Sequence, residues 1–93
     1  MKLKLSARAE SDFDAIETYT VETFGVRQWF HYEGQLRQGF VSLRRFPGIG
    51  MADRALPSGH QAFRVAQHWI CYEVVGDVIE VTAIIRQLSD FSD

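Results

Sequence analysis

A ten-residue stretch at positions 63–72, FRVAQHWICY, contains several chemically reactive side chains. It contains Arg64, His68, Cys71 and Tyr72. An arginine can stabilise a charged transition state, histidine and tyrosine can transfer protons, and a cysteine thiolate can act as a nucleophile. The stretch therefore fits three roles: a catalytic site, a binding strand, or part of the core.

The spacing of the histidines and the cysteine does not favour proton-transfer chemistry or metal binding. His60 falls in a loop, where we expect it to be solvated, and His68 falls at a strand turn, where we expect it to cap backbone. Cys71 lies mid-strand with no histidine placed beside it by spacing, so we interpret it as a small hydrophobe. Three histidines and one cysteine at unrelated spacings give no metal site. We therefore predict no catalytic residue, no metal and no cofactor.

The totals of the chain restrict its class. Its 93 residues indicate one domain spanning 1–93. The net charge of −2 gives no strong attraction to membrane or nucleic acid, and we expect no direct sequence-specific binding of nucleic acid. A single cysteine excludes an internal disulfide. No apolar run approaches the roughly 20 residues that span a bilayer, and the start turns polar too early for a signal peptide. We therefore expect a soluble cytoplasmic protein.

Charge is distributed unevenly along the chain. Residues 9–23 carry five acids and no base, whereas residues 37–64 carry five arginines and one acid. Eight of the ten basic residues are arginine, whose planar fork pairs with carboxylate or phosphate. The pattern indicates either a partner surface or two solvated faces.

Hydrophobic periodicity predicts an α+β fold with the order β-α-α-β-β-β. The two helices would form a hairpin packed on one face of a small, mainly antiparallel sheet. Gly34 and Gly39 lie inside the second helix, where each costs about 1 kcal/mol relative to alanine. The predicted bounds are a strand over 2–5, a helix capped by Ser6 and ended by Gly25, a helix from Val26 to the Phe46-Pro47 stop, a loop over 46–60, and strands over 62–67, 69–75 and 78–86.

Alternation along the strands assigns side chains to the two faces of the predicted sheet. The last strand would direct Ile79, Val81, Ala83 and Ile85 toward the helices. The other face would be open, as a partner surface is, and the tail LSDFSD would fray. That open face would carry Arg64, Trp69, Cys71, Glu73, Glu80, Thr82, Ile84 and Arg86.

Five segments in order resemble the RelE/ParE superfamily of bacterial toxins, and the ParE branch is the most similar. They are LSARAESDFDAIETYT, FGVRQWFHY, FPGIG, FRVAQHWICYEV and VIEVTAIIRQLSD. The resemblance implies the toxin of a type II toxin–antitoxin system, of the kind that acts in plasmid or chromosomal stability. It also implies a cytoplasmic protein neutralised in a heteromeric complex by a ParD-like antitoxin, whose C-terminal segment wraps the toxin with a helix and an extended stretch.

The two branches of the superfamily differ in activity. RelE-like members cut mRNA on the ribosome, whereas ParE-like members block DNA gyrase and have no known chemistry of their own. Where the family often has Ile-Leu-His, this chain has Ile84-Ile85-Arg86, no tyrosine follows, and no lysine follows Lys4. We therefore predict a gyrase inhibitor rather than an enzyme. Two alternatives stay open: a RelE-type ribonuclease built on Arg64 and Arg86, and an inactive homologue that only binds antitoxin.

The antitoxin surface follows from the same resemblance and from the charge pattern. We expect an amphipathic antitoxin helix to lie on the helical hairpin, with its carboxylates meeting the basic region between residues 37 and 64. The predicted antitoxin- or target-binding residues are Arg37, Arg44, Arg45, Arg54, Arg64, Trp69 and Arg86.

Overall fold

The computed structural model describes residues 1–92 and confirms the predicted α+β fold. The elements are β1 (Lys2–Leu5), α1 (Ala7–Phe24), α2 (Val26–Arg45), β2 (Gln61–Val65), β3 (His68–Val75), β4 (Val78–Ile85) and a C-terminal 3-10 helix (Leu88–Ser92). The sheet has the order β1-β4-β3-β2, with β1 parallel to β4 and the other neighbours antiparallel. Within the described residues, neither α-helix is long and apolar enough to cross a membrane.

The helices begin and end at the residues that the sequence predicts. The Ser6 hydroxyl accepts a hydrogen bond from the Ala9 N–H at 3.1 Å, which caps α1. Gly25 ends α1 with a φ of 92°, a conformation that favours glycine, and α2 starts at the next residue. The two helices pack as a hairpin, with the ring of Phe13 on α1 edge-on to Trp29 on α2 at 5.4 Å between centroids.

The main core lies between this helical hairpin and the sheet. Leu36 and Leu43 of α2 are fully buried against β3 and β4, whereas Val26 at the start of the helix is 54% exposed. At Gly39, α2 packs closely on β2 and β3. A Cβ at Gly39 would lie 2.7 Å from Cγ2 of Val65 and 3.3 Å from Cδ1 of Ile70. This glycine therefore permits the helix to pack here.

A β-bulge in β4 corrects the predicted faces of the sheet. Cys71 pairs with Ala83 but Tyr72 pairs with Val81, so Thr82 is an extra residue without a direct partner. One extra residue reverses the alternation beyond it. Ile84 consequently joins the core under the helices, while Ala83 and Ile85 join the opposite face. The prediction was therefore wrong for these three residues, because the bulge was not anticipated. The same reversal moves the position of Arg86 to the face of Ile84, away from the predicted open face.

The second face of the sheet is covered rather than open. A cluster of Leu56, Ala62, Cys71, Ala83 and Ile85 is buried there, with Trp69, Leu88 and Phe91 packed against it. The prediction that the tail LSDFSD frays was wrong for residues 88–92, because they form the 3-10 helix. The guanidinium of Arg8 holds this helix by donating to the carbonyls of Phe91 and of Asp90, the latter at 2.9 Å. Asp93, the last residue of LSDFSD, lies outside the described residues.

Side chains near the start of α1 form hydrogen bonds with the backbone of β4 beyond the point where β1 ends. β1 pairs only with residues 78–81. Beyond it, the N–H of the buried Ile84 donates to the Asp12 carboxylate at 2.9 Å, and the Ser6 hydroxyl donates to the Thr82 carbonyl at 3.2 Å. These bonds fix the end of β4, from which Arg86 emerges.

Candidate functional site

Three of the predicted binding residues lie at the end of the sheet where β2 turns into β3. Arg64 and Trp69 are on the face of Ile85, whereas the position of Arg86 is on the other face, with His68. Arg64 pairs with Trp69 across the two strands, and Trp69 pairs with Ile85 of β4. Arg86 therefore follows at the position opposite His68. We call the group of Tyr32, Arg64, His68, Trp69 and Arg86 the arginine corner.

Arg64 is held in place by its neighbours. Its Nε donates to the carbonyl of Ala66 at 2.9 Å, and its guanidinium carbon lies 5.3 Å from the ring centroid of Trp69. A cation above an indole face is stabilised by the ring quadrupole. The two Nη groups of Arg64 are consequently presented beside the half-buried Trp69, while Ala66 adopts a left-handed φ of 50° in the turn.

A buried tyrosine and a histidine join α2 to this turn. The Tyr32 hydroxyl accepts a hydrogen bond from the Gln67 N–H at 3.1 Å and lies 2.5 Å from Nδ1 of His68. The Tyr32 hydroxyl donates to Nδ1 when His68 carries its proton on Nε2, and it accepts from Nδ1 in the other neutral tautomer. The expectation that His68 caps backbone was therefore wrong, since the ring binds a side chain from α2.

The charge state of His68 follows from its surroundings. Burial, reinforced by the charges of Arg86 and Arg64, lowers the pKa of His68 from 6.5 to about 4. Burial also raises the pKa of Tyr32 above 10.0, with the Gln67 hydrogen bond and the two arginines acting against it. At neutral pH the corner thus contains a neutral imidazole, a neutral phenol and two guanidinium groups.

The lowered pKa of His68 predicts a specific acid sensitivity. Between pH 6.5 and 4 the unfolded chain binds a proton at His68 that the folded protein does not, so stability is greatest above pH 6.5 and falls toward pH 4. Allowing for solvent screening of this half-buried ring, we expect a loss of about 1 kcal/mol. Urea unfolding at pH 7 and pH 4.5 would measure it.

The matched variants for this measurement are His68→Gln and His31→Gln. His68→Gln should lose less stability on acidification than the unchanged protein, whereas His31→Gln, which alters an exposed histidine of α2, should behave like the unchanged protein. Equal acid sensitivity of the unchanged protein and His68→Gln would contradict the assignment.

The remaining predicted arginines lie elsewhere, and they differ in what they contact. Arg37 is paired with Glu33 on α2 at 3.0 Å. The Nε of Arg44 donates to the Met1 carbonyl at 3.1 Å, and Arg45 lies over the ring of Phe46 with 5.8 Å between guanidinium carbon and centroid. Arg54 is exposed in the loop. The structure therefore does not bring these four residues to the arginine corner.

Arg44 and Arg45 flank exposed apolar side chains at the C-terminal end of α2. Together with Met1 and Val41 they line a surface cleft of about 280 Å³. Phe46 is 59% exposed and Ile49 46% exposed in the adjoining loop. We call the group of Val41, Arg44, Arg45, Phe46 and Ile49 the apolar–arginine surface.

The loop that carries part of this surface is anchored by Tyr72. The Tyr72 hydroxyl donates to the Pro47 carbonyl at 2.8 Å and accepts from the Gly50 N–H at 2.9 Å. A Cβ at Gly50 would lie 2.6 Å from the same hydroxyl oxygen, so this position favours glycine. Tyr72 is part of the core, and it also fixes the FPGIG turn.

The other groups with chemical potential have structural surroundings. Cys71 is fully buried, and burial raises the pKa of its thiol to about 12, so it is not a thiolate at neutral pH. The His60 side chain is only 12% exposed, with Nδ1 3.8 Å from Glu73 and its ring edge-on to Phe91. The prediction of a solvated His60 was therefore wrong. Among residues 1–92, no three His, Cys, Asp or Glu side chains are grouped to hold a metal ion.

Comparison with known proteins identifies the class and then the family. A solved structure described as the chromosomal ParDE TA system from P. aeruginosa is similar to the fold, with a TM-score of 0.80, 20% identity and coverage of 92% of this chain and 95% of that one. The model of the ParE toxin of type II toxin–antitoxin systems, parDE, matches residues 3–91. Toxin ParE1 of Caulobacter vibrioides (strain ATCC 19089 / CIP 103742 / CB 15) is 31% identical over 84 residues, covering 90% of this chain and 86% of that protein. The chain belongs to the ParE toxin family of type II toxin–antitoxin systems, which confirms the resemblance seen in the sequence.

Proposed function

We propose that this ParE-family toxin inhibits DNA gyrase by binding it and is neutralised by a cognate ParD-like antitoxin in a heteromeric complex. The observation that carries the proposal is the match of the ParE family model to residues 3–91. The surroundings of His68 support an inhibitor that acts by binding. Its Nδ1 is hydrogen-bonded to Tyr32. Because its pKa is about 4, the ring is uncharged at neutral pH and holds no extra proton to donate as a general acid.

The apolar–arginine surface supports the antitoxin part of the proposal. Exposed apolar groups surrounded by arginine are typical of protein interfaces, in which arginine and phenylalanine are enriched. The segment of residues 37–64, which contains Arg44, Arg45 and Arg54, has a single acidic residue, Asp53. The carboxylate of Asp53 already accepts a hydrogen bond from the Ala55 N–H at 2.9 Å. An amphipathic antitoxin helix with acidic flanks would match this surface in both polarity and charge.

A ribonuclease remains the second candidate because of one observation. Arg64 and Arg86 lie beside the Tyr32–His68 pair, and arginines could stabilise the charge of a cleaved phosphodiester. Cleavage also needs a general base and a general acid. The hydrogen bond of Nδ1 to Tyr32 and the low pKa of His68 favour binding over this chemistry.

Expression in cells distinguishes the candidates. Inducing the toxin alone should arrest growth with a DNA-damage response and leave mRNA intact by primer extension. Co-expression of the cognate antitoxin, which we expect in a neighbouring short reading frame, should restore growth. Ribosome-dependent cuts in mRNA without a DNA-damage response would overturn the gyrase proposal in favour of the ribonuclease, and harmless expression would overturn it in favour of an inactive homologue.

A further inference from the structure

The helical hairpin extends beyond the end of the sheet. α2 packs on β2 at Gly39, where a Cβ would lie 2.7 Å from Cγ2 of Val65. It then reaches the turn between β2 and β3 at Tyr32, whose hydroxyl accepts from the Gln67 N–H. The part of α2 before Tyr32 continues in the same direction, and a helical rise of about 1.5 Å per residue places Gly25 roughly 10 Å beyond this turn. The end of the hairpin around Gly25 is therefore supported by the helices themselves.

Large apolar side chains are exposed at this end of the hairpin. The rings of Tyr19 and Phe24 on α1 lie edge-on, with 6.3 Å between centroids. On α2, Val26 and Phe30 are four positions apart, so they are neighbours on the helix surface. Gly25 alone separates Phe24 from Val26 along the chain. We call the exposed group the aromatic tip, and its members are Tyr19, Val21, Phe24, Val26 and Phe30, which are 36–65% exposed.

Folding alone does not account for the aromatic tip. Phenylalanine, tyrosine and valine are poorer helix formers than alanine or leucine, so helix propensity does not favour them here. The inner side of the hairpin is filled by other residues, Thr20 and Trp29, which are buried. Exposed apolar side chains that are grouped in this way are typical of a surface that binds a partner.

The surroundings of the aromatic tip are acidic. Residues 9–36 carry six acids and a single base, Arg27. Two of these acids form ion pairs with arginines, whereas Glu17 and Glu22 are exposed on α1 within two residues of Tyr19 and Phe24. Charges across a protein interface are arranged to be complementary. The matching partner therefore has an apolar pocket with a basic rim.

We propose that the aromatic tip docks on an apolar, basic-rimmed surface of the DNA-binding enzyme that the toxin inhibits. The inference rests on the proposed inhibition of DNA gyrase. An enzyme that holds DNA carries basic surfaces that neutralise the phosphates, and these surfaces attract the acidic side of α1. Exposed aromatic side chains that fill a pocket on the partner supply much of the binding energy of a protein interface.

The target fits the aromatic tip better than the antitoxin or a second copy of the chain. The apolar–arginine surface lies at the opposite end of α2, which has 20 residues and is about 30 Å long. An acidic antitoxin segment that matches those arginines would be repelled by Glu17 and Glu22. Contact between the tip of one copy and the apolar–arginine surface of the next would be head-to-tail, and such contacts produce open chains unless they close into a ring.

Binding of purified DNA gyrase to variants of the full toxin tests the proposal. Phe24→Ser combined with Phe30→Ser should weaken the affinity for gyrase at least about tenfold. Glu17→Lys combined with Glu22→Lys should slow association with gyrase, because it reverses the attraction to a basic rim. Both variants change exposed residues, so circular dichroism and antitoxin affinity should stay the same.

Val74→Thr combined with Val75→Thr is the matched control. These valines are 42% and 58% exposed at the end of β3, and they belong to neither surface. The control should bind and inhibit gyrase like the unchanged protein. If the phenylalanine variant does not fold, the Glu17→Lys and Glu22→Lys variant decides, and gyrase association as fast as that of the unchanged protein would then overturn the proposal.

Failure of this inference is distinguishable from failure of the proposed function. A folded phenylalanine variant that inhibits gyrase as well as the unchanged protein would refute the role of the aromatic tip and leave the function intact. Retained gyrase inhibition with lost antitoxin affinity would assign the tip to the antitoxin, and with lost self-association in sedimentation it would assign the tip to a second copy. Either result overturns the inference. An unchanged protein that does not bind gyrase would overturn both the function and the docking surface.

Discussion

Replacing Gly39 with alanine should destabilise the protein by about 1–3 kcal/mol, although alanine is the better helix former. The added methyl would lie 2.7 Å from Cγ2 of Val65 and 3.3 Å from Cδ1 of Ile70, so α2 would have to move away from β2 and β3. The same change at Gly34 meets nothing within 4 Å and should stabilise the helix by about 0.5–1 kcal/mol. The sequence alone assigns both glycines the same cost.

Urea unfolding of the two glycine variants measures this contrast. Adding Val65→Ala to Gly39→Ala should recover part of the loss, because the two methyl groups no longer compete for the same space. A stabilising effect of Gly39→Ala equal to that of Gly34→Ala would contradict the close packing of α2 on the sheet.

Replacing Tyr72 with phenylalanine should cost about 1–3 kcal/mol, because it leaves two backbone groups without partners. The hydroxyl bonds both the Pro47 carbonyl and the Gly50 N–H, which are part-buried in the turn after α2. We also expect faster amide hydrogen exchange at Gly50, and lower affinity for the antitoxin, since the same turn orients Phe46 and Ile49.

Tyr19→Phe is the matched control for this variant. Tyr19 is 55% exposed on α1, and removing a solvated hydroxyl should change stability by less than about 0.5 kcal/mol. If Tyr72→Phe were as stable as Tyr19→Phe and its Gly50 amide exchanged no faster, the anchoring role of the hydroxyl would be wrong.

The order of elements and the helix ends could be predicted because their signals are local. Ser6 caps α1 through a residue three positions away, and Gly25 supplies the positive φ that ends it. The turn at Gly76-Asp77 was also predictable from its glycine, which has a φ of 62°. Each of these features depends on neighbours in sequence, which periodicity and turn chemistry describe.

The faces of the sheet could not be predicted beyond Val81, because no residue in VIEVTAII marks Thr82 as a bulge. The bulge is evident only from the pairing of β4 with β3. The cover of the second face depends on contacts between distant segments, such as Arg8 with Asp90 and Phe91. The sequence therefore predicts an open face on the side of the sheet away from the helices, where the structure has a second buried cluster.

The arginine corner was predicted in part. Arg64, Trp69 and Arg86 were selected from the sequence, while Tyr32 was assigned to no site and His68 only to a backbone cap. These two residues lie 36 positions apart and meet at 2.5 Å. The available signal was the phenol itself, because a buried tyrosine hydroxyl requires a hydrogen-bond partner.

Supercoiling of relaxed plasmid by purified DNA gyrase, with this protein titrated into the reaction, tests the proposed function most directly. We expect supercoiling to fall as the toxin is added and to return when equimolar cognate antitoxin is supplied. Full supercoiling at every excess of folded toxin would contradict the proposal that this protein acts on gyrase.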